Sequence, residues 1–296
     1  MSSEAGASGA AQPEPGQASD FALMGVINVT PDSFSDGGTY LDPEAAIAHG
    51  FELEREGAAI LDIGGESTRP GALPVGVEEE LRRALPVIEG LRSAGARAAL
   101  SIDTAKARVA ARALEAGASF VNDVTALRGD PGMADVIATS EADCCLMHMR
   151  GDPRTMQDDP RYDDVVSEVK AFLEERLRFA TDHGIAEERI VLDPGIGFGK
   201  TSEHNLELLR RIDQLVLLGR PVLIGTSRKS FLGQISGRPV GERLAGTIAT
   251  SVLGYLGGVR IFRVHDVAAV RDALLVTAAT VSRRWTPTKS PTSSTN

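Results

Sequence analysis

The sequence is poor in the features that mark disulfide-rich or metal-rich proteins. It contains only two cysteines, Cys144 and Cys145. Adjacent cysteines in an apolar run cannot readily bridge each other, and this pair has no metal-ligand spacing. We therefore expect a reducing compartment and interpret both cysteines as small core residues.

Long apolar runs are also missing from the chain. No segment approaches the roughly 20 apolar residues needed to cross a bilayer. Residues 1–20 lack a basic start followed by an apolar stretch, so neither a signal peptide nor a membrane anchor is expected. These features predict a cytoplasmic protein with no membrane partner.

Basic residues are outnumbered by acidic ones. The chain has 31 Lys and Arg against 41 Asp and Glu, a formal charge of −10. Nucleic acid is therefore not expected as the main partner, because a phosphate backbone selects clustered basic surface. A small anionic substrate stays possible, since a few local cations can reverse the field inside one cleft.

What the chain does have is the composition of a globular protein, with 42% hydrophobic and 24% charged residues among 296. Residues 1–20 and 285–296 are rich in small and polar residues and are predicted to be disordered tails. No linker or change of composition interrupts residues 21–284, which we expect to form a single domain.

Short runs rich in Val, Ile and Leu recur along this domain, each followed by a polar or glycine-rich turn and a stretch with helical periodicity. The runs are nearly continuous in apolar character, as strands of a parallel sheet buried on both faces require. The pattern predicts an α/β fold, a (β/α)₈ TIM barrel; a doubly wound open sheet is the alternative and fits six or seven units better. The eight predicted strands are 23–29, 59–63, 98–102, 119–121, 144–147, 190–192, 222–224 and 259–262.

Polar residues follow every predicted strand. In a parallel barrel these positions lie on the C-terminal rim, where active sites of this fold are built. Capping or turn formation explains any single one, but Arg69, Lys229, Arg263 and His265 are poor capping residues. Several cations beside isolated acids indicate a site for an anion with a hydrogen-bonding head group. The residues at these positions are Asn28, Glu66 to Arg69, Asp103, Asn122, Asp123, His148, Asp193, Ser227 to Lys229, Arg263 and His265.

The glycine-rich segment 193–201 ends in Gly-Lys-Thr but is not a phosphate-binding loop. Pro194 stands where that pattern requires its first glycine, and Lys200 occupies the last glycine position of the dinucleotide fingerprint. We interpret the segment as a flexible loop that leaves a strand ending at Asp193.

The turn sequences closely resemble those of dihydropteroate synthases, in the same order and across essentially the whole predicted domain. The resemblance implies an enzyme that condenses (7,8-dihydropterin-6-yl)methyl diphosphate with 4-aminobenzoate, giving 7,8-dihydropteroate and pyrophosphate in folate biosynthesis. The matching segments are 24–38 (MGVINVTPDSFSDGG), 65–71 (GESTRPG), 101–104 (SIDT), 122–123 (ND), 146–149 (LMHM), 193–200 (DPGIGFGK), 227–231 (SRKSF) and 263–267 (RVHDV).

The resemblance also implies roles for individual residues. The loops 30–38 and 65–71 would close over the site, with Mg²⁺ on Asn28. The residues implied for pterin diphosphate are Thr68, Asp103, Asn122, Asp193, Lys229, Arg263 and His265. Those implied for 4-aminobenzoate are Thr68, Pro70, Phe198 and Ser230. Those implied for catalysis are Asp36, Arg69, Lys229 and Arg263.

Two other functions remain open at this point. A pterin-dependent methyltransferase domain shares the barrel and the acidic residues that bind the pterin, but it does not need residues that bind a diphosphate. A non-catalytic pterin-binding paralogue should have lost its loop motifs first, and both loops are intact. The resemblance further implies a homodimer through barrel helices and competition by sulfonamides. One departure from the family pattern lies at residues 150–154, where Arg150 and Arg154 add charge to a rim loop.

Overall fold

The computed structural model describes residues 20–30, 42–68, 71–152 and 154–282. Asp36, Arg69 and Pro70 lie outside the described residues, as do nearly all of the first predicted tail and the whole of the second. Among the described helices, none is long and apolar enough to span a membrane.

The strands form one parallel, eight-stranded sheet that closes on itself. β1 pairs with both β2 and β8, and a parallel bridge between Leu192 and Val222 joins β6 to β7 at the remaining seam. An open sheet would leave two unpaired edges, so the (β/α)₈ barrel prediction is confirmed. The strands are β1 (Ala22–Asn28), β2 (Ile60–Gly64), β3 (Ala99–Asp103), β4 (Phe120–Asp123), β5 (Asp143–Met147), β6 (Ile190–Asp193), β7 (Leu223–Ile224) and β8 (Ile261–Val264).

Helices surround the sheet and cover its outer face. The first begins as the sequence indicates: the Asp42 side chain accepts a hydrogen bond from the Glu44 backbone N–H at 3.0 Å, and Pro43 occupies the first turn. The helices are α1 (Pro43–Glu56), α2 (Val77–Ser93), α3 (Ala107–Glu115), α4 (Met133–Ala138), α5 (Val165–Asp182), α6 (Ser202–Arg210), α7 (Asp213–Val216), α8 (Ser230–Ser236), α9 (Leu244–Leu256) and α10 (Val267–Val281). Short 3₁₀ turns cover Glu187–Arg189 and Val240–Glu242.

Side chains alternate between the two faces of each strand, so those that point inward form layers in the barrel interior. The lowest layer takes one apolar or small side chain from each strand: Met24, Ile60, Ala99, Phe120, Cys145, Val191, Leu223 and Ile261. Two residues further along the same faces stand Asp62, Ser101, Asn122, Asp193 and Arg263. Because successive side chains point to opposite faces of a sheet, this period of two places a polar layer directly on an apolar floor.

The alternate faces of the strands pack against the helices in the main hydrophobic core. Cys144 belongs to this outer core, whereas Cys145 belongs to the barrel floor, and both are buried and free. Burial raises the pKa of Cys144 to about 12, so the thiol stays protonated and unreactive. The interpretation of the pair as core residues is confirmed.

Two strands have C-terminal ends two residues away from the predictions, whereas the C-terminal ends of the others agree to within one residue. β4 and β8 run two residues further than predicted, so Asn122 and Arg263 lie within strands rather than after them. The predictions for these ends were wrong because a polar residue was taken to end a strand. A polar side chain that points into the mouth of a barrel does not interrupt the hydrogen-bond ladder.

Candidate active site

A cleft opens at the C-terminal ends of the strands. The cleft contains seven of the site residues predicted from the sequence: Thr68, Asp103, Asn122, Asp193, Phe198, Lys229 and Arg263. Val124, Met147, Ile196 and Gly225 supply apolar and backbone surface between them. Seven strands, β2 to β8, and the segments that follow them thus form one polar cleft with an apolar wall.

Asp62 lies at the base of the cleft and is fully buried. Its carboxylate accepts hydrogen bonds from Ser101 Oγ at 2.6 Å, Asn122 Nδ2 at 3.1 Å and Arg263 Nε at 2.6 Å. The sequence analysis did not select Asp62. The available signal was an acid inside an otherwise apolar strand, because a buried carboxylate must be paired.

Arg263 connects Asp62 to Asp103. Its Nη2 atom donates to Asp103 Oδ2 at 2.9 Å, while Asp103 Oδ1 is buried without a hydrogen-bond partner among the described residues. Burial raises the pKa of Asp103 to about 7, with Arg263 opposing the shift and Asp62 adding to it. For Arg263, burial lowers the pKa, but the two carboxylates outweigh burial and leave it raised. The cleft therefore offers a fixed cation and an unsatisfied acceptor.

Asp193 ends β6 on the far side of the cleft and is also buried. Its Oδ1 atom accepts the Gly195 backbone N–H at 2.7 Å. Burial raises the pKa of Asp193 to about 6, against that hydrogen bond and the nearby Lys229. Lys229 Nζ lies 4.0 Å from the centroid of the Phe198 ring, a cation–π contact. A carboxylate and an ammonium group thus lie beside an aromatic wall.

The turn that carries Lys229 is held in a strained conformation. Arg228 has a φ of +58°, which a non-glycine residue rarely adopts. Its guanidinium is paired with Asp266, Nη2 to Oδ1 at 2.6 Å and Nε to Oδ2 at 3.1 Å, and its backbone N–H donates to Thr247 Oγ1. These contacts join the turn after β7 to the turn after β8.

His265 and Ser230 lie near this turn but outside the residues that line the cleft. Ser227 Oγ accepts the His265 backbone N–H at 3.2 Å and lies 2.9 Å from Nδ1 of the same residue. We assign the Ser227 hydroxyl as donor to Nδ1, which places the imidazole proton on Nε2. Ser230 is the exposed first residue of α8.

The base of the loop that follows β2 is held by a hydrogen bond and by ion pairs. Glu66 Oε1 accepts the Val75 backbone N–H at 2.9 Å, which closes the neck of the loop carrying Thr68. Lys106 Nζ donates to Glu66 Oε2 and to the fully buried Glu80 Oε2, both at 2.5 Å. The sequence analysis did not identify Lys106 or Glu80, since neither follows a strand directly.

Asn28 ends β1 opposite Gly64, the last residue of β2. A Cβ atom on Gly64 would lie 3.8 Å from Asn28 Oδ1 and 3.6 Å from Asp103 Oδ2. Within the described part of the chain, no group of three His, Cys, Asp or Glu residues could hold a metal ion. A cation here would therefore need most of its ligands from a substrate and water, a pattern that suits Mg²⁺ and one amide oxygen.

Comparison with known proteins gives one consistent result. The pterin binding enzyme family matches residues 24–265. Dihydropteroate synthase of Escherichia coli (strain K12) is 44% identical over 262 residues, covering 88% of this chain and 92% of the relative. The structure of Xanthomonas albilineans dihydropteroate synthase with 4-aminobenzoic acid has a TM-score of 0.82 and 51% identity, covering 88% of this chain and 92% of that one. The Yersinia pestis dihydropteroate synthase with a sulfonamide drug complex has a TM-score of 0.84 and 41% identity, covering 88% and 94%.

The fold, the polar cleft and this family match define a pterin-binding enzyme built on a (β/α)₈ barrel. Within that class, the chain belongs to the dihydropteroate synthase family.

Proposed function

We propose that the protein is a transferase that condenses (7,8-dihydropterin-6-yl)methyl diphosphate with 4-aminobenzoate and releases pyrophosphate. The observation that carries this proposal is the cleft itself, where the buried acids Asp103 and Asp193 lie beside Arg263 and Lys229. Buried acceptors suit the N–H groups of a pterin, and the cations suit its diphosphate.

The pterin ring would lie on the barrel floor, between the two acids. Asp193 would accept the N–H groups of the 2-amino-4-oxo edge, and Lys229 would donate to the carbonyl oxygen. Asp103 and Asn122 would bind the opposite edge, since Asp103 Oδ1 is buried and unpaired within the described residues. A planar guanidinium at Arg263 can both face the ring and reach the diphosphate.

Loss of the diphosphate would come before attack by the amine, because an electron-rich dihydropterin stabilises positive charge on its exocyclic methylene. Arg263 and Nε2 of His265 would stabilise the departing pyrophosphate. Mg²⁺ held on Asn28 would add positive charge at the same group. The loops 30–38 and 65–71 would exclude water, and Asp36 and Arg69 would steady the reacting centre. An arylamine needs little activation, so no strong general base is assigned.

The aminobenzoate would lie above the pterin, against Phe198. Thr68 and Phe198 line the cleft, and Pro70 and Ser230 would complete the proposed pocket. Ser230 lies outside the cleft lining, so its contact with substrate requires the pocket to extend to the start of α8.

A homodimer is proposed through α9 and α10. These helices expose large apolar side chains, including Leu253 and Leu256 on α9 and Val276 and Val281 on α10, each more than half exposed. Large apolar side chains exposed on two helices that pack against each other favour an association site there. Sedimentation equilibrium should give twice the chain mass; a monomer at micromolar concentration would contradict the proposal. A cytoplasmic location is proposed as well, consistent with the two free thiols.

The function is tested by incubating the purified protein with dihydropterin diphosphate, 4-aminobenzoate and Mg²⁺ and following dihydropteroate by chromatography. The proposal predicts product that requires all three additions. Pterin binding without product would favour the non-catalytic paralogue, and methyl transfer from a methylated pterin would favour the methyltransferase.

Affinity for the pterin ring is expected to decrease at acidic pH. Burial raises the pKa of Asp193 to about 6, so the carboxylate accepts N–H groups above that pH and loses this capacity as it is protonated below it. The dissociation constant of 6-hydroxymethyl-7,8-dihydropterin, which has no diphosphate to titrate, should increase at least about tenfold between roughly pH 7.5 and pH 5, because Asp103, with a pKa raised to about 7, is protonated over the same range. Calorimetric titration measures this. A constant affinity over that range would contradict the role of Asp193.

Sulfonamides are expected to compete with 4-aminobenzoate. Phe198, Ser230 and Pro70 stand as the resemblance to sulfonamide-sensitive family members requires. A sulfonamide should therefore raise the apparent KM for 4-aminobenzoate and leave kcat unchanged in steady-state assays. Unchanged turnover at saturating drug and low aminobenzoate would exclude a shared pocket.

A further inference from the structure

The loop between β6 and α6 packs directly against the backbone that follows β5. Gly195, Gly197 and Gly199 have φ values of +65°, +83° and +63°. A Cβ atom on Gly195 would lie 1.9 Å from the His148 carbonyl oxygen, and one on Gly199 would lie 2.5 Å from that of Arg150. Only glycine fits at these points. The prediction of a flexible loop is therefore replaced by a closely packed one.

Three successive carbonyl groups of this loop each accept a hydrogen bond from a different side chain. The bonds are Gln157 Nε2 to Gly197 O at 2.8 Å, Lys200 Nζ to Phe198 O at 3.0 Å and Tyr162 Oη to Gly199 O at 2.8 Å. Asn205 Oδ1 accepts the Gly197 backbone N–H at 2.8 Å. The backbone on both sides of Phe198 is thus fixed by side-chain groups.

Lys200 differs from the other donors because it is buried, with 3% of its surface exposed. Besides Phe198 O, its ammonium contacts His148 Nδ1 at 2.8 Å and His148 O at 3.3 Å, which uses all three N–H groups. Burial lowers the pKa of His148 to about 2, so its ring is neutral and Nδ1 accepts. No carboxylate hydrogen-bonds to Lys200 within the described part of the chain. Burial lowers the pKa of Lys200 to about 7, with the charge of Asp193 opposing the shift. Keeping this amine protonated inside the protein is therefore costly, and stability alone does not account for it.

We infer that Lys200 is a positioning residue for the aminobenzoate step, fixing the Phe198 backbone against the end of β5 so that the Phe198 ring lies over Lys229. This inference rests on the proposed placement of 4-aminobenzoate against Phe198. Phe198 lines the cleft, and its ring centroid lies 4.0 Å from Lys229 Nζ. Lys200 itself does not line the cleft, so it acts through the loop rather than on the substrate.

The test is Lys200→Met, which keeps the length of the side chain and removes its donors. The KM for 4-aminobenzoate should increase about tenfold, as expected from the loss of one or two hydrogen bonds that hold the loop. The KM for dihydropterin diphosphate should change less than about twofold, because Asp103, Asn122 and Arg263 lie on other strands. Asp193 is held through Gly195, at the other end of the loop from Lys200. Lys200→Gln, which keeps an amide donor, should recover part of the loss. Lys170→Met, an exposed lysine on α5 that pairs with Glu174 at 3.9 Å, is the matched control and should match the wild type.

Equal increases in both KM values, or no change in a variant that melts like the wild type, would overturn the inference. If Lys200→Met does not fold, Tyr162→Phe provides the second test, because it removes only the hydroxyl that binds Gly199 O. It should raise the aminobenzoate KM about threefold and leave the pterin KM unchanged. Absence of dihydropteroate formation by the wild type would count against the proposed function itself and is separate from either outcome.

Discussion

Replacing Asp193 with asparagine is expected to abolish most pterin binding without unfolding the protein. Asparagine keeps the shape and the oxygen that accepts the Gly195 N–H, but it presents an amide donor to the N–H groups of the pterin. The amide N–H of the asparagine would face the N–H groups of the pterin, and neither would have an acceptor. Binding should therefore weaken by roughly 100- to 1000-fold. Burial raises the pKa of Asp193 in the folded protein to about 6, above its value in the unfolded chain. The free energy of unfolding therefore decreases as the pH rises between these two pKa values, and above pH 6 the buried charge is destabilising. Neutralising it should not lower the melting temperature near neutral pH.

Calorimetric titration with 6-hydroxymethyl-7,8-dihydropterin, alongside thermal melting, measures both parts of this result. Asp143→Asn is the matched control, since Asp143 begins β5 at the opposite end of the barrel. Wild-type affinity in Asp193→Asn would remove Asp193 from the pterin site.

The second large effect is expected for Asp62→Ala. Arg263 would lose one of its two carboxylate partners, and Ser101 and Asn122 would lose their acceptor in the barrel interior. Breaking a buried ion pair by removing one partner costs about 3–5 kcal/mol. The free energy of unfolding should decrease by that amount, lowering Tm by of order 10 °C. Turnover should decrease at least about 100-fold, because Arg263 is no longer held in place.

Denaturant titration and steady-state kinetics test this second result. Ser101→Ala is the control, as it removes one hydrogen bond to Asp62 and should cost only about 1 kcal/mol. A wild-type unfolding free energy in Asp62→Ala would show that the Asp62–Arg263 pair does not organise the cleft.

The fold could be predicted because parallel barrel strands are buried on both faces and therefore read as continuous apolar runs. The same continuity hides where a strand ends. β8 was placed two residues early because Val259 and Arg260 precede the observed strand without any turn signal, and Arg263 was taken as its end. The type of each element could thus be predicted from the sequence, but its exact ends could not.

Part of the site could be predicted from the sequence for a related reason. Asp103, Asn122, Asp193 and Lys229 were selected because they stand at or near strand ends, and the structure brings them to one cleft. Asp62 was missed because it lies in mid-strand and its partner Arg263 is 201 residues away. Such a pairing depends on the closure of the barrel, which local patterns do not contain.

The segment at residues 150–154 illustrates the same limit. Its added charge was identified, but its packing was not: the Arg150 guanidinium lies 4.7 Å from the centroid of the Tyr162 ring and 3.2 Å from Glu168. Tyr162 in turn donates to Gly199 O. The departure from the family pattern therefore contacts Tyr162, which is hydrogen-bonded to the loop between β6 and α6.

One cleft is proposed to hold the pterin by its acids, to join the pterin methylene carbon to the amine of 4-aminobenzoate and to release pyrophosphate. The most direct test is the release of pyrophosphate from dihydropterin diphosphate in the presence of Mg²⁺, measured with and without 4-aminobenzoate and compared with dihydropteroate formed. We predict that the two products accumulate in equal amounts over many turnovers and that continued pyrophosphate release requires aminobenzoate. Continuous multiple-turnover release without aminobenzoate, or tight pterin binding with no release at all, would contradict the account.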